Sequence, residues 1–352
     1  MNILRSNLFI IIYLFSFSIL YGQDLRLDEL KTDSLLHNLE KKDSFKKVYK
    51  KDLSKSIYKK NNNNDKSNEI KNLNRFKNIG QSIKSESSLL HNTRTRSFVS
   101  QINNEEYSIY IGLPVNYFKD KKKRYNVIYV LDTEWMFPLI NSFTRLMSYQ
   151  SSIMGINNNE YIVVSISDGS KYIDYKNRKY NDQKRRSRDY TFEKSIQKKE
   201  GFQTHAKEFE KLTGGSYKFG KILEDEIIEN IDNTYRTNRS PEGRTLVGHS
   251  FSGLFALYYG MNFDKIKNIS SISPSVWYNQ GSLNKINSIK LIDKNIKIYV
   301  GDREFVGNNL LKHVLKFCKL HSSVVGLKCK VLDKEDHFSI LPRAVSDYFK
   351  KF

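Results

Sequence analysis

The run Arg244-Thr245-Leu246-Val247-Gly248-His249-Ser250-Phe251-Ser252-Gly253-Leu254 passes from a short apolar strand through Gly-His-Ser into a helix start, Phe251 to Tyr259. That is the layout of a nucleophile elbow, the sharp strand-to-helix turn that lifts a serine hydroxyl out of an α/β sheet. A serine hydroxyl attacks carbonyl carbon only when a base takes its proton and a third group orients that base. On such sheets the order along the chain is serine, acid, histidine. Three histidines follow Ser250. His313 falls in a helical stretch and His321 in a polar turn, and both read as surface residues. His337 lies in the loop Asp333 to Ser339 after the last strand, where a base belongs. For the acid, Gly301-Asp302-Arg303-Glu304 follows a strand ending at Val300, and either Asp302 or Glu304 could orient His337. Asp333, Glu335 and Asp336 rank lower, being too near His337 in sequence. The oxyanion formed by attack calls for backbone donors, expected from Phe251 N–H and from the turn Asp132-Thr133-Glu134, with Thr133 the named donor. His249 is expected to point away from Ser250 and to pack. Ser252 departs from the strict G-x-S-x-G pattern, standing where its second glycine belongs.

The elements that must position these groups follow from periodicity. Tyr107 to Leu113 alternates as a half-buried strand ending at Pro114. Val127 to Leu131 and Tyr161 to Ile166 are continuous apolar runs that fit strands covered on both faces. Residues 168 to 215 form a basic, aromatic and irregular excursion. Phe219 to Tyr235 is an amphipathic helix with Phe219, Ile222, Leu223, Ile227 and Ile231 on one stripe. The elbow strand and helix come next, then strands at Ile269 to Ser273 and Lys297 to Val300. A helix at Leu310 to Leu320, a strand at Leu327 to Leu332 and a closing helix at Ala344 to Phe352 complete the chain. Strands alternating with helices imply an α/β fold with a mostly parallel sheet, whose reactive groups gather beyond the carboxyl ends of its strands.

Composition sets the address. The basic head Met1 to Arg5, the apolar run Leu8 to Leu20 and small Gly22 read as a secretory signal over residues 1–22, too short for the roughly 20 residues of a bilayer span. The protein is therefore expected to be secreted or periplasmic, with no membrane span after signal removal. Residues 23–91 are rich in Lys, Asn and Ser and read as a largely disordered basic leader, and residues 92–352 as the folded domain. The net charge of +21 is scattered among acids and carries no nucleic-acid module, so no nucleic-acid partner is expected. Cys318 and Cys329 are the two cysteines, so no disulfide framework is expected; they are either one bridge or two unrelated thiols. No paired His/Cys spacing or glycine-rich cradle occurs, so no metal or other cofactor is expected.

Several spaced motifs together resemble one family. The elbow Gly248 to Leu254, followed by Ile272-Ser273-Pro274-Ser275-Val276-Trp277-Tyr278, looks like the Putative esterase family, which includes enterochelin (siderophore) esterases, S-formylglutathione hydrolases and feruloyl esterases. Tyr125 to Asp132, Arg188-Asp189-Tyr190-Thr191, Gly214 to Thr237, Gly301 to Glu304 and Asp336 to Ser339 follow in the family's order. The resemblance covers roughly residues 92 to 352 and implies an α/β-hydrolase fold with Ser250, Glu304 and His337 as triad, Arg188 lining the substrate pocket and Trp277 as its wall. It favours Glu304 over Asp302. Two residues depart from it, Ser252 at the elbow and Phe192 in place of a proline; serine is small enough that a slightly altered elbow is expected. The expected activity is hydrolysis of a carboxylic ester, siderophore-like, carbohydrate-linked or short-acyl. The alternatives are acyl transfer by the same triad, as in the related mycolyltransferases, and a non-catalytic binding protein on a hydrolase scaffold. Arg178, Arg185, Arg186 and Arg188 suit either an anionic ester, such as an iron-loaded catecholate siderophore, or a solvated lid.

Overall fold

A computed structural model of the protein describes residues 92–154, 160–168, 184–196, 212–286, 291–305 and 309–349. The expected signal and leader, and Arg178, lie outside the described residues. Eight strands form one sheet: β1 (Thr93–Val99), β2 (Glu106–Gly112), β3 (Asn126–Leu131), β4 (Tyr161–Asp168), β5 (Arg244–His249), β6 (Asn268–Ile272), β7 (Asn295–Gly301) and β8 (Leu327–Leu332). Their spatial order is β1-β2-β4-β3-β5-β6-β7-β8. The first two junctions, β1 with β2 and β2 with β4, are antiparallel, and every junction from β4 to β8 is parallel. The mostly parallel sheet read from the sequence is present, extended at one side by an antiparallel pair.

Strand β3 shows why its sequence is apolar throughout. Val127, Tyr129 and Leu131 enter one core, while Ile128 and Val130 enter another on the opposite face. Successive strand residues point to opposite faces, so a strand covered on both sides has no polar side. Helix α1 (Thr133–Met154) supplies Met136, Phe137 and Ile140 to the second core. A short helix α2 spans residues 184–189. Helix α3 runs as α over Ser216–Lys221, as π over Ile222–Ile228 and as α again over Glu229–Thr234. Its expected stripe of Phe219, Ile222, Leu223, Ile227 and Ile231 is buried in the first core, as is most of helix α4 (Phe251–Asn262). Helix α5 (Leu310–Leu320) adds Leu310, Val314 and Phe317 to that face, and helix α6 (Ile340–Phe349) adds Ile340, Ala344 and Val345 to the other.

Two expectations need correction, and one choice left open is decided. His321 is not a surface residue: it is 2% exposed, because it stands four places after Phe317 and continues the buried stripe of α5, its ring 4.4 Å from that of Phe317. His313, on the same helix, is half-buried. Cys318 and Cys329 form a disulfide that joins α5 to β8, so the choice between a bridge and unrelated thiols falls to the bridge.

Candidate active site

Strand β5 is buried along its whole length and ends at the elbow. Gly248 is required there, since a Cβ would fall 2.1 Å from the Ser252 carbonyl oxygen. Ser250 follows with φ +63° and ψ −119°, a left-handed conformation that costs a non-glycine residue about 1–3 kcal/mol and persists only where its surroundings hold it. They do: Ser250 N–H donates to Ile272 O at 3.0 Å, and its carbonyl accepts from Ser275 N–H at 3.0 Å and Leu254 N–H at 3.0 Å. Ser250 Oγ lies 3.4 Å from Ser275 Oγ.

The turns after β7 and β8 meet each other, and the second touches His249, the residue before Ser250. Gly301 ends β7 against the His337 loop, where a Cβ would come 2.1 Å from Glu335 O. Three residues on, Glu304 turns its side chain inward; its Oε2 accepts from His337 Nδ1–H at 2.8 Å and its Oε1 from the hydroxyl of Ser273. Asp302, the other candidate acid, is exposed. A carboxylate can only accept, so Nδ1 is the donor in this bond and Nε2 is the ring nitrogen left to act on another group.

His249 does pack, as expected, but it also makes a polar contact. Its Nε2 lies 2.7 Å from His337 O, and the two rings are 4.5 Å apart. A carbonyl accepts, so this nitrogen is the donor. Burial, and then the neighbouring His337, push the His249 pKa down to about 3, so the ring stays neutral and adds no second charge beside His337.

Phe251 and Thr133, the two expected oxyanion donors, are the first residues of α4 and α1. The Thr133 hydroxyl is engaged with Ser165 Oγ at 2.7 Å. Trp277 is half-buried, its ring 5.9 Å from that of Phe251. Two aromatic residues that sequence reasoning did not single out flank the base: Phe338, 57% exposed with its ring 5.3 Å from that of His337, and Phe305, 66% exposed at 6.3 Å. Adjacency to Glu304 and His337 in the chain was the available signal for both.

The arginines of the excursion face protein partners. Arg188 pairs with Glu105 at 2.6 Å and Asp189 at 2.7 Å and donates to the Tyr107 hydroxyl. Arg185 donates to the Tyr190 hydroxyl at 2.8 Å, and Arg186 grips the Asp132 carboxylate through two bonds of 2.7 and 2.9 Å. These pairings fix residues 184–191 to β2 and to the end of β3. They oppose the reading of the three as a basic face open to an anionic ester.

A mostly parallel sheet whose turns after β5, β7 and β8 carry a serine, a carboxylate and a histidine has the architecture of the α/β-hydrolase fold. The chain belongs to the Putative esterase family, whose model matches residues 100–338. It is 26% identical over 130 residues to the apo-salmochelin esterase of Escherichia coli O6:H1, a match spanning 36% of this chain and 40% of that protein. Its fold is similar to that of the BES protein from Bacillus cereus, with TM-score 0.61 and 22% identity over 77% of this chain and 98% of the other. An IroE-like serine hydrolase from Shewanella oneidensis superposes with TM-score 0.60 and 20% identity, over 73% of this chain and 80% of the other.

Proposed function

We propose that the protein is an exported serine carboxylesterase with Ser250 as nucleophile, His337 as general base and acid, and Glu304 as the orienting carboxylate. The observation that carries this reading is the 2.8 Å contact between His337 Nδ1 and Glu304 Oε2, on turns neighbouring a serine held at φ +63°. Ser250 Oγ attacks the ester carbonyl carbon as its proton passes to His337 Nε2. The carbonyl π electrons move to oxygen, and the resulting oxyanion accepts hydrogen bonds from the backbone N–H groups of Phe251 and Thr133. Collapse breaks the C–O bond, and His337 Nε2–H protonates the departing alkoxide, leaving an acyl-serine. Water then repeats the sequence with His337 as base, releasing the acid and restoring the serine. Glu304 stabilises the transient imidazolium and keeps its tautomer. A second carboxylate bond, from Ser273, keeps Glu304 in place.

For substrate class, the rim aromatics Phe305 and Phe338 together with Trp277 favour an ester that carries an aryl ring, of the siderophore type. The relative named as an apo-salmochelin esterase supports the same class. The paired arginines leave Arg188 as a support for the 184–191 segment. Export is supported by the apolar run of residues 8–20 and by the Cys318–Cys329 bridge, which persists in oxidising compartments. Among the described residues no helix is long and apolar enough to cross a membrane.

Ser250→Ala is expected to abolish hydrolysis of p-nitrophenyl butyrate, leaving the far-UV circular dichroism and melting temperature unchanged. Undiminished turnover in that variant would remove the serine mechanism.

A further inference from the structure

The departure from the elbow pattern, Ser252, is completely buried, and its hydroxyl is the centre of a hydrogen-bonded chain. Its Oγ accepts from His249 N–H at 2.7 Å and lies 2.6 Å from Asp132 Oδ2 and 2.9 Å from His249 O. The single hydroxyl proton goes to the carboxylate, the charged and nearer acceptor. Asp132, buried as well, sits at φ +62° in the turn that ends β3, and both of its oxygens are gripped by Arg186. Burial alone would raise the Asp132 pKa; the Arg186 guanidinium outweighs it and holds the carboxyl below its ordinary range, so it remains the acceptor that Ser252 requires.

The placement matters because of what stands next to each partner. Asp132 immediately precedes Thr133, and Ser252 immediately follows Phe251; these neighbours are the two proposed oxyanion donors. The backbone ladder between β3 and β5 runs only to the pair Val130–Val247. Beyond that pair, the Ser252–Asp132 bond ties the two turns where the ladder has ended. Glycine at 252 would leave the two donor-bearing turns without this bond, and Asp132 held from the Arg186 side alone.

We infer that Ser252 is a positioning residue: its bond to Asp132, itself anchored by Arg186, sets the spacing of the Phe251 and Thr133 N–H groups around the oxyanion. This rests on the serine-esterase reading. Donors serve the transition state only when aimed where the oxyanion forms, and misplacement by about 1 Å can cost on the order of a hundredfold in rate.

The test uses the full chain with p-nitrophenyl butyrate as substrate and phenylboronic acid as a tetrahedral adduct of Ser250. Ser252→Ala and Ser252→Gly are each expected to lower kcat by about ten- to a hundredfold with KM within about twofold of wild type. Boronate affinity should fall by the same factor as kcat/KM, a response that loss of stability without misplacement would not give. In the Ser252→Ala background, Asp132→Asn should cost less than it does in wild type, because the two act through one bond. Turnover within twofold of wild type in both Ser252 variants would overturn the inference. So would a fall in kcat with boronate affinity unmoved, or additive costs for the pair. Activity surviving in Ser250→Ala would instead overturn the esterase reading on which it rests.

Discussion

At the scale of single residues, the proposed chemistry asks one histidine to remain uncharged while its neighbour takes up and returns a proton. His249 is buried between the elbow and the His337 loop, with a pKa pushed to about 3 from 6.5, chiefly by desolvation. The folded protein therefore declines a proton that the unfolded chain accepts. Stability from this residue is complete above pH 6.5 and is lost as pH falls below it, at up to about 1.4 kcal/mol per pH unit until the folded pKa is reached. His313 and His321 are also shifted downward by burial, and act in the same direction. A comparison of wild type with His249→Asn isolates the first. Between pH 7.5 and 5.5 the wild type should lose about 1.4 kcal/mol more of its urea-unfolding free energy than the variant. Equal losses would mean that His249 is protonated in the folded state. Turns after strands leave a local trace, so Ser250, His337 and the pair Asp302 and Glu304 stood out in the sequence as candidates. The sequence did not disclose the partners of His249 and Ser252, which lie 88 and 120 residues away along the chain. Ser252 read as a tolerated replacement for glycine; what it touches is a property of two turns brought together by the sheet.

Among the elements, those with a full apolar period were legible and those without were not. Strands β3 and β5 and helices α3 to α5 announce themselves by runs or stripes. Strand β1, Thr-Arg-Thr-Arg-Ser-Phe-Val, is mostly exposed at the sheet edge and has no buried face to write into its sequence. Helix α1 is interrupted by Pro138 and packs through only part of its surface, so its period is blurred. The π segment of α3 changes register within a continuous helix and leaves the apolar stripe intact. Helix α5 and strand β8 are joined by the Cys318–Cys329 bridge, which closes a short loop of sequence separation 11. The chain-entropy account gives about 3 kcal/mol for a loop of this order. Reduction, or Cys318→Ser with Cys329→Ser, should lower the unfolding free energy by about 2–3 kcal/mol, read from urea denaturation with and without reductant. Esterase turnover at 25 °C should be retained, because β8 remains paired to β7 along its length without the bridge's help. Loss of turnover at temperatures where the reduced protein is still folded would show that the bridge positions the His337 turn.

For the whole molecule, the decisive fact is that one unit, Ser87–Phe352, contains every group the proposed chemistry uses. The earliest of these is Asp132 and the last His337, and strand β1, from Thr93, already pairs with β2 across its full length. Residues 23–91 share the lysine and asparagine bias of a chain whose net charge is +21, and no residue there enters the proposed reaction. The expected consequence is that a protein beginning at residue 87 has the same kcat and KM for p-nitrophenyl butyrate as the protein beginning at residue 23, and a melting temperature within a few degrees of it. A long-range field acts differently from a contact: removing positive charge should slow capture of an anionic aryl ester at low salt, an effect that fades as ionic strength approaches 0.15 M, where the screening length is about 8 Å. Measuring kcat/KM for a neutral and an anionic aryl ester, in both proteins and across ionic strength, separates the two contributions. A more than tenfold loss on the neutral ester would place part of the active site in residues 23–86, and equal salt dependence in the two proteins would confine the steering charge to the folded unit.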